Sequence, residues 1–394
     1  MRKTWIFALL AGALITPSLA FAQDETTIDE IGLNPVITGV PSLTIAPDAR
    51  GGGMGDVGAA TTPDVNSQYW NPAKYAFMKS NAGLSLSYTP WLRKLVNDID
   101  LAYVAGYYKF GNNDMQSLSG SIRYFSLGKV TITDAGGKEM GDVSPYEMAV
   151  DLGYSRKLSE NFSGAVTLRY ILSDLQTMSE EYNSASAFAA DIAAFYTKPI
   201  QYNNGNEGDW SLGLNISNIG SKINYGSTSN FIPTNLRLGG GIRYPFDNYN
   251  SISVYGDLNK LLVPTRPIPA DGNYEDPTYL EKLANYETMS PIKGIFTSLS
   301  DAPGGMKEEL QEVAWSLGAE YNYNDQFFAR GGYYNESMYK GNRKYFSLGA
   351  GFKMNVFRLD VSYLVSTAQS NPLDQTLRFS LSFDMDGLKS LVAR

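Results

Sequence analysis

Serines such as Ser347 and Ser380 could attack an acyl or phosphoryl centre, but a serine needs a base beside it to become a useful nucleophile. The chain contains no histidine and no cysteine. Ser-His and Cys-His pairs are therefore excluded, as are imidazole and thiolate metal sites. Carboxylates remain, yet no HExxH helix, nucleophile elbow or phosphate loop stands in a context that would support it. The expectation is a protein with no catalytic residue, no cofactor and no bound metal. The other chemistry-bearing cluster is glycine-rich: Gly51, Gly52, Gly53 and Gly55, followed by Asn71-Pro72-Ala73. No hydrophobic strand precedes the glycines and no helix-and-acid pattern follows, so a dinucleotide loop is rejected. Clustered glycines instead let backbone approach backbone and adopt positive φ, and Asn-Pro starts a turn. Such a segment suits a plug pressed against a wall.

The wall is legible further along. Leu377, Phe379, Leu381 and Phe383 alternate with Arg378, Ser380, Ser382 and Asp384, and Phe357, Leu359, Val361 and Tyr363 alternate with Arg358, Asp360 and Ser362. Period two gives each strand one apolar and one polar face. Fourteen such segments are expected, near 83–89, 100–110, 117–125, 147–156, 162–172, 186–197, 210–216, 235–244, 251–259, 312–322, 327–334, 343–354, 356–365 and 375–384. Long and short connectors alternate between them. That rhythm belongs to an antiparallel barrel whose hairpins turn on opposite sides of a membrane, and a sandwich has no reason to show it. The fold class is therefore all-β, a transmembrane antiparallel β-barrel of about 14 strands with an N-terminal plug or hatch. Aromatics make up 13% of the chain, with 27 tyrosines, as girdles at two membrane edges require.

Arg2 and Lys3 precede an apolar run from Trp5 to Ile15, and Ala20-Phe21-Ala22 reads as a signal-peptidase site, so residues 1–22 are expected to be a signal peptide. No later stretch is long and apolar enough for a spanning helix. Removal of Arg2 and Lys3 leaves 30 basic residues against 40 acidic ones, a sign that disfavours nucleic acid as a partner. The division expected is 23–82 as hatch, 83–384 as an outer-membrane barrel and 385–394 as a short tail. Charged residues on the polar faces (Arg123, Asp151, Arg169, Asp191, Arg237, Arg243, Asp257, Glu320, Arg330, Lys353, Arg358, Asp360 and Arg378) are assigned to the lumen, because Lys or Arg at mid-bilayer costs ~2–4 kcal/mol. Mixed signs point to an internal ion-pair network holding wall and plug rather than a selectivity ring. The connector 260–311 is long enough to carry function. Asp276 and Pro277 open a short amphipathic helix containing Tyr279, Leu280, Leu283 and Tyr286, and Ile295 and Phe296 add apolar surface. By hairpin parity this loop is extracellular, and it serves either as a lid or as a partner-binding surface.

The Gly-rich stretch with Asn71-Pro72-Ala73 resembles the hatch of FadL-like outer-membrane barrels. Within that superfamily the run from Pro47 to Phe77, with Asp-Ala-Arg-Gly-Gly-Gly-Met-Gly-Asp at its start and Tyr-Trp-Asn-Pro-Ala-Lys near its end, is similar to the PorV (LptO) family of the type IX secretion system. The resemblance implies a non-catalytic protein in outer-membrane lipid that takes secreted cargo proteins with C-terminal signal domains from the secretion translocon. It would hand them to a sortase-type complex for cell-surface attachment. Loops 260–311 and 126–146 would do the binding. The superfamily's other members imply an alternative, a FadL-type transporter of hydrophobic small molecules. An outer-membrane hydrolase or lipid deacylase would need a carboxylate- or lysine-assisted serine.

Overall fold

A computed structural model describes residues 34–387 apart from 94–95, 97, 112–114, 135, 176–183, 204, 227, 270–271 and 368–372. The expected signal peptide lies outside the described residues, as does most of the tail. The strands in chain order are β1 (Ala82–Pro90), β2 (Ile99–Phe110), β3 (Gln116–Leu127), β4 (Val130–Thr133), β5 (Glu139–Val143), β6 (Tyr146–Lys157), β7 (Phe162–Asp174), β8 (Ser184–Gln201) and β9 (Glu207–Gly220). They continue as β10 (Ile223–Tyr225), β11 (Thr228–Asn230), β12 (Asn235–Pro245), β13 (Asn250–Leu261), β14 (Val313–Tyr323), β15 (Phe327–Asn335), β16 (Lys344–Met354), β17 (Phe357–Ser366) and β18 (Leu377–Asp384). Fourteen of them close an antiparallel barrel in which β18 returns to pair with β1, with Leu86 opposite Leu381. Closure leaves the wall without an unpaired edge, which a sheet in lipid requires. The small pairs β4–β5 and β10–β11 are accessory hairpins in the long connectors, and the sequence reading did not anticipate them.

Alternation settles which face is which. On β7, Leu168 is 62% exposed while its neighbours Thr167 and Arg169 are buried. The outward residues form two aromatic belts with aliphatic side chains between them. Toward the long connectors lie the ring pairs Tyr124–Tyr146, Tyr170–Phe188 and Tyr333–Phe346. Toward the short turns lie Tyr196–Trp210, Tyr202–Tyr244 and Phe327–Phe352. Two girdles flanking an apolar band are the mark of a bilayer-spanning barrel. The short turns are tight because the sequence places Asn or Asp where the backbone must be left-handed: Asn324 (φ 56°), Asp325 (φ 52°) and Asn355 (φ 48°).

Residues 38–77 occupy the lumen. They form short pieces only, the helical turns Ala49–Gly52 and Ser67–Trp70 and the 3₁₀ segments Pro41–Thr44 and Pro72–Phe77. A segment so poor in regular structure has few hydrogen bonds of its own, so its backbone groups must find partners on the wall. Ser380 accepts from Ala49 N–H at 2.9 Å, Ser347 from Gly55 N–H at 2.7 Å, and Asp257 from both Gly58 N–H (2.8 Å) and Ala59 N–H (2.9 Å).

Candidate functional site

The hatch begins its grip at Asp48. One carboxylate oxygen caps the turn Ala49–Gly52 by accepting from Gly51 N–H at 2.8 Å, and the other accepts from Trp70 Nε1 at 2.5 Å. The glycine run and the Tyr-Trp-Asn-Pro run are thereby brought together. The glycines then do what side chains would prevent. A Cβ on Gly51 would lie 2.3 Å from the Trp70 ring, one on Gly52 would lie 2.2 Å from Arg378, and Gly53 meets Gly349 backbone to backbone. Gly55 has φ +76° against the Tyr333 backbone. The wall answers with glycines of its own. Gly318 and Gly332 face Met54, and Gly213 and Gly239 face Ala59, each at a distance no Cβ could share.

Asn71 is the second anchor. Its Oδ1 accepts from Ala73 N–H, opening the 3₁₀ turn with Pro72 at its first position, and its Nδ2 donates to Ala59 O (3.0 Å) and Ala194 O (2.9 Å). Ala73 O accepts from Ser163 Oγ at 2.7 Å, and the Ala73 side chain packs on Ala165, Ala193 and Phe195. The seven motif residues Gly51, Gly52, Gly53, Gly55, Asn71, Pro72 and Ala73 thus lie at the plug-wall boundary.

Lumen charges join in chains. Arg50 of the hatch donates to Glu320 at 2.9 and 3.1 Å and to Asp64 at 2.6 Å. Glu320 also accepts from Arg330 at 2.6 Å, Arg330 pairs with Asp360 at 2.8 Å, and Asp360 accepts from Arg358. A second group has Arg169 bidentate on Asp151 (2.7 and 2.8 Å) and within 3.0 Å of Asp191. Arg378 holds Asp56 of the hatch at 2.7 Å, and Tyr345 Oη donates to the same carboxylate at 2.5 Å. Paired and hydrogen-bonded in this way the charges are tolerable inside, whereas losing one partner strands the other. Val40 and Leu43 of the hatch pack on Ala185, Ala187 and Ala189, the Ala-rich part of β8. Glu147, which accepts from Ser42 N–H, was missed in the sequence although it shares the inward parity of Asp151.

At the long-connector rim, residues 262–312 carry three helices, Pro277–Thr288, Pro291–Thr297 and Met306–Gln311. Asp276 caps the first by accepting from Thr278 N–H. Of the six loop residues singled out by sequence, Tyr279 is buried beside Tyr274, Tyr286 packs edge-on against Phe231, and Leu283 and Ile295 are half-buried. Leu280 and Phe296 face outward, Phe296 at 71% exposure. Ile292, Leu299, Met306 and Leu310 extend that apolar surface. The loop is tied down by Lys260, on Glu309 (3.0 Å) and Glu312 (2.6 Å), and by Lys340, on Glu308 (2.6 Å) and Glu312 (3.0 Å). Asp301 accepts from Thr265 N–H at 2.9 Å. Burial, helped by Glu309 and Glu312 nearby, pushes its carboxyl up to about 6.

Compared with known proteins, residues 29–268 match the family model described as Type IX secretion system protein PorV. No curated protein sequence matches the chain. Among solved structures it is similar to the Ralstonia pickettii toluene transporter TbuX, at 11% identity over 86% of this chain and 96% of that one, with a TM-score of 0.42. It is also similar to a Pseudomonas aeruginosa FadL homologue, at 12% identity over 89% and 99%, with a TM-score of 0.43. A third is the Pseudomonas putida toluene transporter TodX, at 9% identity over 84% and 96%, with a TM-score of 0.44.

Proposed function

The chain belongs to the PorV family, outer-membrane components of the type IX secretion system, and from that premise we propose that it is a docking shuttle working at its outer rim. In this reading the 262–312 loop binds the C-terminal signal domains of secreted cargo leaving the translocon and presents them to a sortase-type attachment complex. The observation that carries the reading is the pairing of a plugged lumen with an apolar loop face beyond the lipid belt. The hatch lies across the interior where a conduit would run, while Phe296, Ile292, Met306 and Leu310 stay exposed above the aromatic girdle. Exposed apolar clusters of this kind mark protein-binding surfaces. The barrel then supplies a rigid platform, and no bond is made or broken on it.

The test is co-purification from outer membrane in mild detergent. Recovery of secreted cargo or a sortase-type partner is expected. Recovery of neither, with secretion unchanged in a deletion strain, would refute the shuttle. The superfamily alternative, transport of hydrophobic small molecules, predicts uptake of labelled hydrocarbon that depends on this protein.

A further inference from the structure

The loop is held to the rim in two different ways. Helix Met306–Gln311 is clasped by Lys260 and Lys340. Among the described residues, helices Pro277–Thr288 and Pro291–Thr297 make no ion pair with the wall, and the hydrogen bonds that join 277–297 to anything beyond the loop come from Lys222, in the connector between β9 and β12. Lys222 Nζ donates to Glu287 O at 2.8 Å and to Tyr286 O at 3.4 Å. These are carbonyls of the last turn of the first helix, where a cation meets both free acceptors and the negative end of the helix dipole. The same ammonium lies 4.1 Å from the centroid of the Phe231 ring.

Phe231 is where both helices meet that connector. Its buried ring takes Tyr286 edge-on at 5.5 Å, and it covers Gly294 so closely that a Cβ there would lie 2.8 Å away. An α-helix turns about 100° per residue, so Ile292 and Phe296, two positions to either side of Gly294, are aimed away from this contact. They are the exposed side chains of that helix on which docking rests.

The other side of the connector grips the hatch. Phe231 O accepts from Gly39 N–H at 2.8 Å. Ile223 of β10 is fully buried in one apolar cluster with Val40 and Leu43 of the hatch, and a Cβ on Gly39 would fall 2.6 Å from its Cγ2. Ile223 is paired with Asn230 of β11, the residue before Phe231, so one small hairpin carries both grips. Phe231 therefore touches the plug with its carbonyl and the two loop helices with its ring.

We propose that Phe231, assisted by Lys222, is a positioning residue of the docking surface, through which the outer end of the hatch sets where the helices Pro277–Thr288 and Pro291–Thr297 stand. The inference rests on the docking reading for its purpose: the rim presents its apolar face only above a seated plug. Coupling of this kind is reciprocal, so a partner held on the loop also steadies the outer end of the hatch.

The test is hydrogen exchange, read by mass spectrometry on peptides from 277–297 of the purified protein in detergent. Gly39→Ala leaves every loop residue in place, yet by pushing on the hairpin it should raise exchange there about fivefold or more. Phe231→Ala, which keeps the carbonyl that Gly39 uses, should raise it about tenfold or more. Lys222→Met should free 277–288, and Lys222→Arg should hold it within about twofold of wild type. Exchange across 306–311, clasped by its own lysines, should stay unchanged in all four. Wild-type exchange over 277–297 in Gly39→Ala overturns the coupling, and wild-type exchange in Phe231→Ala overturns the positioning role. Should Gly39→Ala not fold, Ile223→Ala loosens the same junction without adding bulk and carries the same expectation. Gly39→Ala and Phe231→Ala should also lower cargo recovery in the co-purification, although both retain Ile292 and Phe296. The exchange readings need no cargo, so they decide the coupling even where wild-type protein recovers none, the outcome that counts against docking itself.

Discussion

Arg50 Nη2 and Glu320 Oε1 lie 2.9 Å apart across 270 positions of sequence, and they tie the hatch to β14. Both side chains are nearly inaccessible, and Glu320 also receives Arg330. Removing Arg50 takes one of the guanidinium partners of Glu320 and leaves Asp64 without its ion pair. Arg50→Ala is expected to destabilise the protein by about 3–5 kcal/mol. Thermal unfolding in detergent should show the loss, and a double-mutant cycle with Glu320→Gln should recover part of it.

Two adjacent glycines of β15 should respond in opposite ways. A Cβ on Gly332 would fall 2.0 Å from the Met54 backbone, whereas one on Gly331 points to lipid with its nearest atom, on Leu348, at 3.9 Å. Gly332→Ala is expected to cost ~1–3 kcal/mol through overpacking and to raise protease access to the hatch. Gly331→Ala should change stability by less than about 0.5 kcal/mol.

The loop should tighten as pH falls. The Asp301 carboxyl is raised from 3.8 to about 6, so the packed loop holds a proton more firmly than the opened loop does. Its contribution is full below about 4 and is lost as pH rises through about 6. Hydrogen-exchange protection across 262–312, corrected for intrinsic rates, should be a few-fold greater at pH 5 than at pH 7.5. Asp301→Asn should remove the difference.

Leu168 sits opposite Leu152 on the lipid face. Leu168→Arg should cost ~2–4 kcal/mol in reversible folding into bilayers, since the substituted charge meets hydrocarbon. The neighbouring Thr167 faces inward onto Gln68 of the hatch, so Thr167→Arg should fail by a different route, displacing the plug.

Phe296 touches too little of the loop to support it. Phe296→Asp is expected to leave the unfolding temperature unchanged within error while abolishing recovery of secreted cargo in the co-purification. Retained cargo would move the docking surface elsewhere on the rim.

Strand positions were legible because alternation and connector length each bear on them independently. The expected 162–172, 235–244 and 327–334 became Phe162–Asp174, Asn235–Pro245 and Phe327–Asn335. The inward charges were legible for the same reason. What sequence could not supply was pairing between hatch and wall. Asp257 serves Gly58 and Ala59, nearly 200 residues away, and nothing local in either segment names the other. The stacking of Arg123 and Arg237 on the Tyr69 ring was hidden likewise. In the loop, Pro277 and Asp276 announced one helix, while the helices Pro291–Thr297 and Met306–Gln311 are too short to carry a periodic signal.

The seam of the ring bears on how the molecule can be made. Ser380 and Arg378 of β18 reach the hatch at Ala49 and Asp56, while Ser380 and Ser382 meet Ser87 and Ser85 of β1. The strand that completes the cylinder therefore clasps the inner segment and the first strand at once. Seating the inner segment gives Arg378 and Ser380 of the closing strand partners that an empty ring would lack, so ring closure and plug seating reinforce each other.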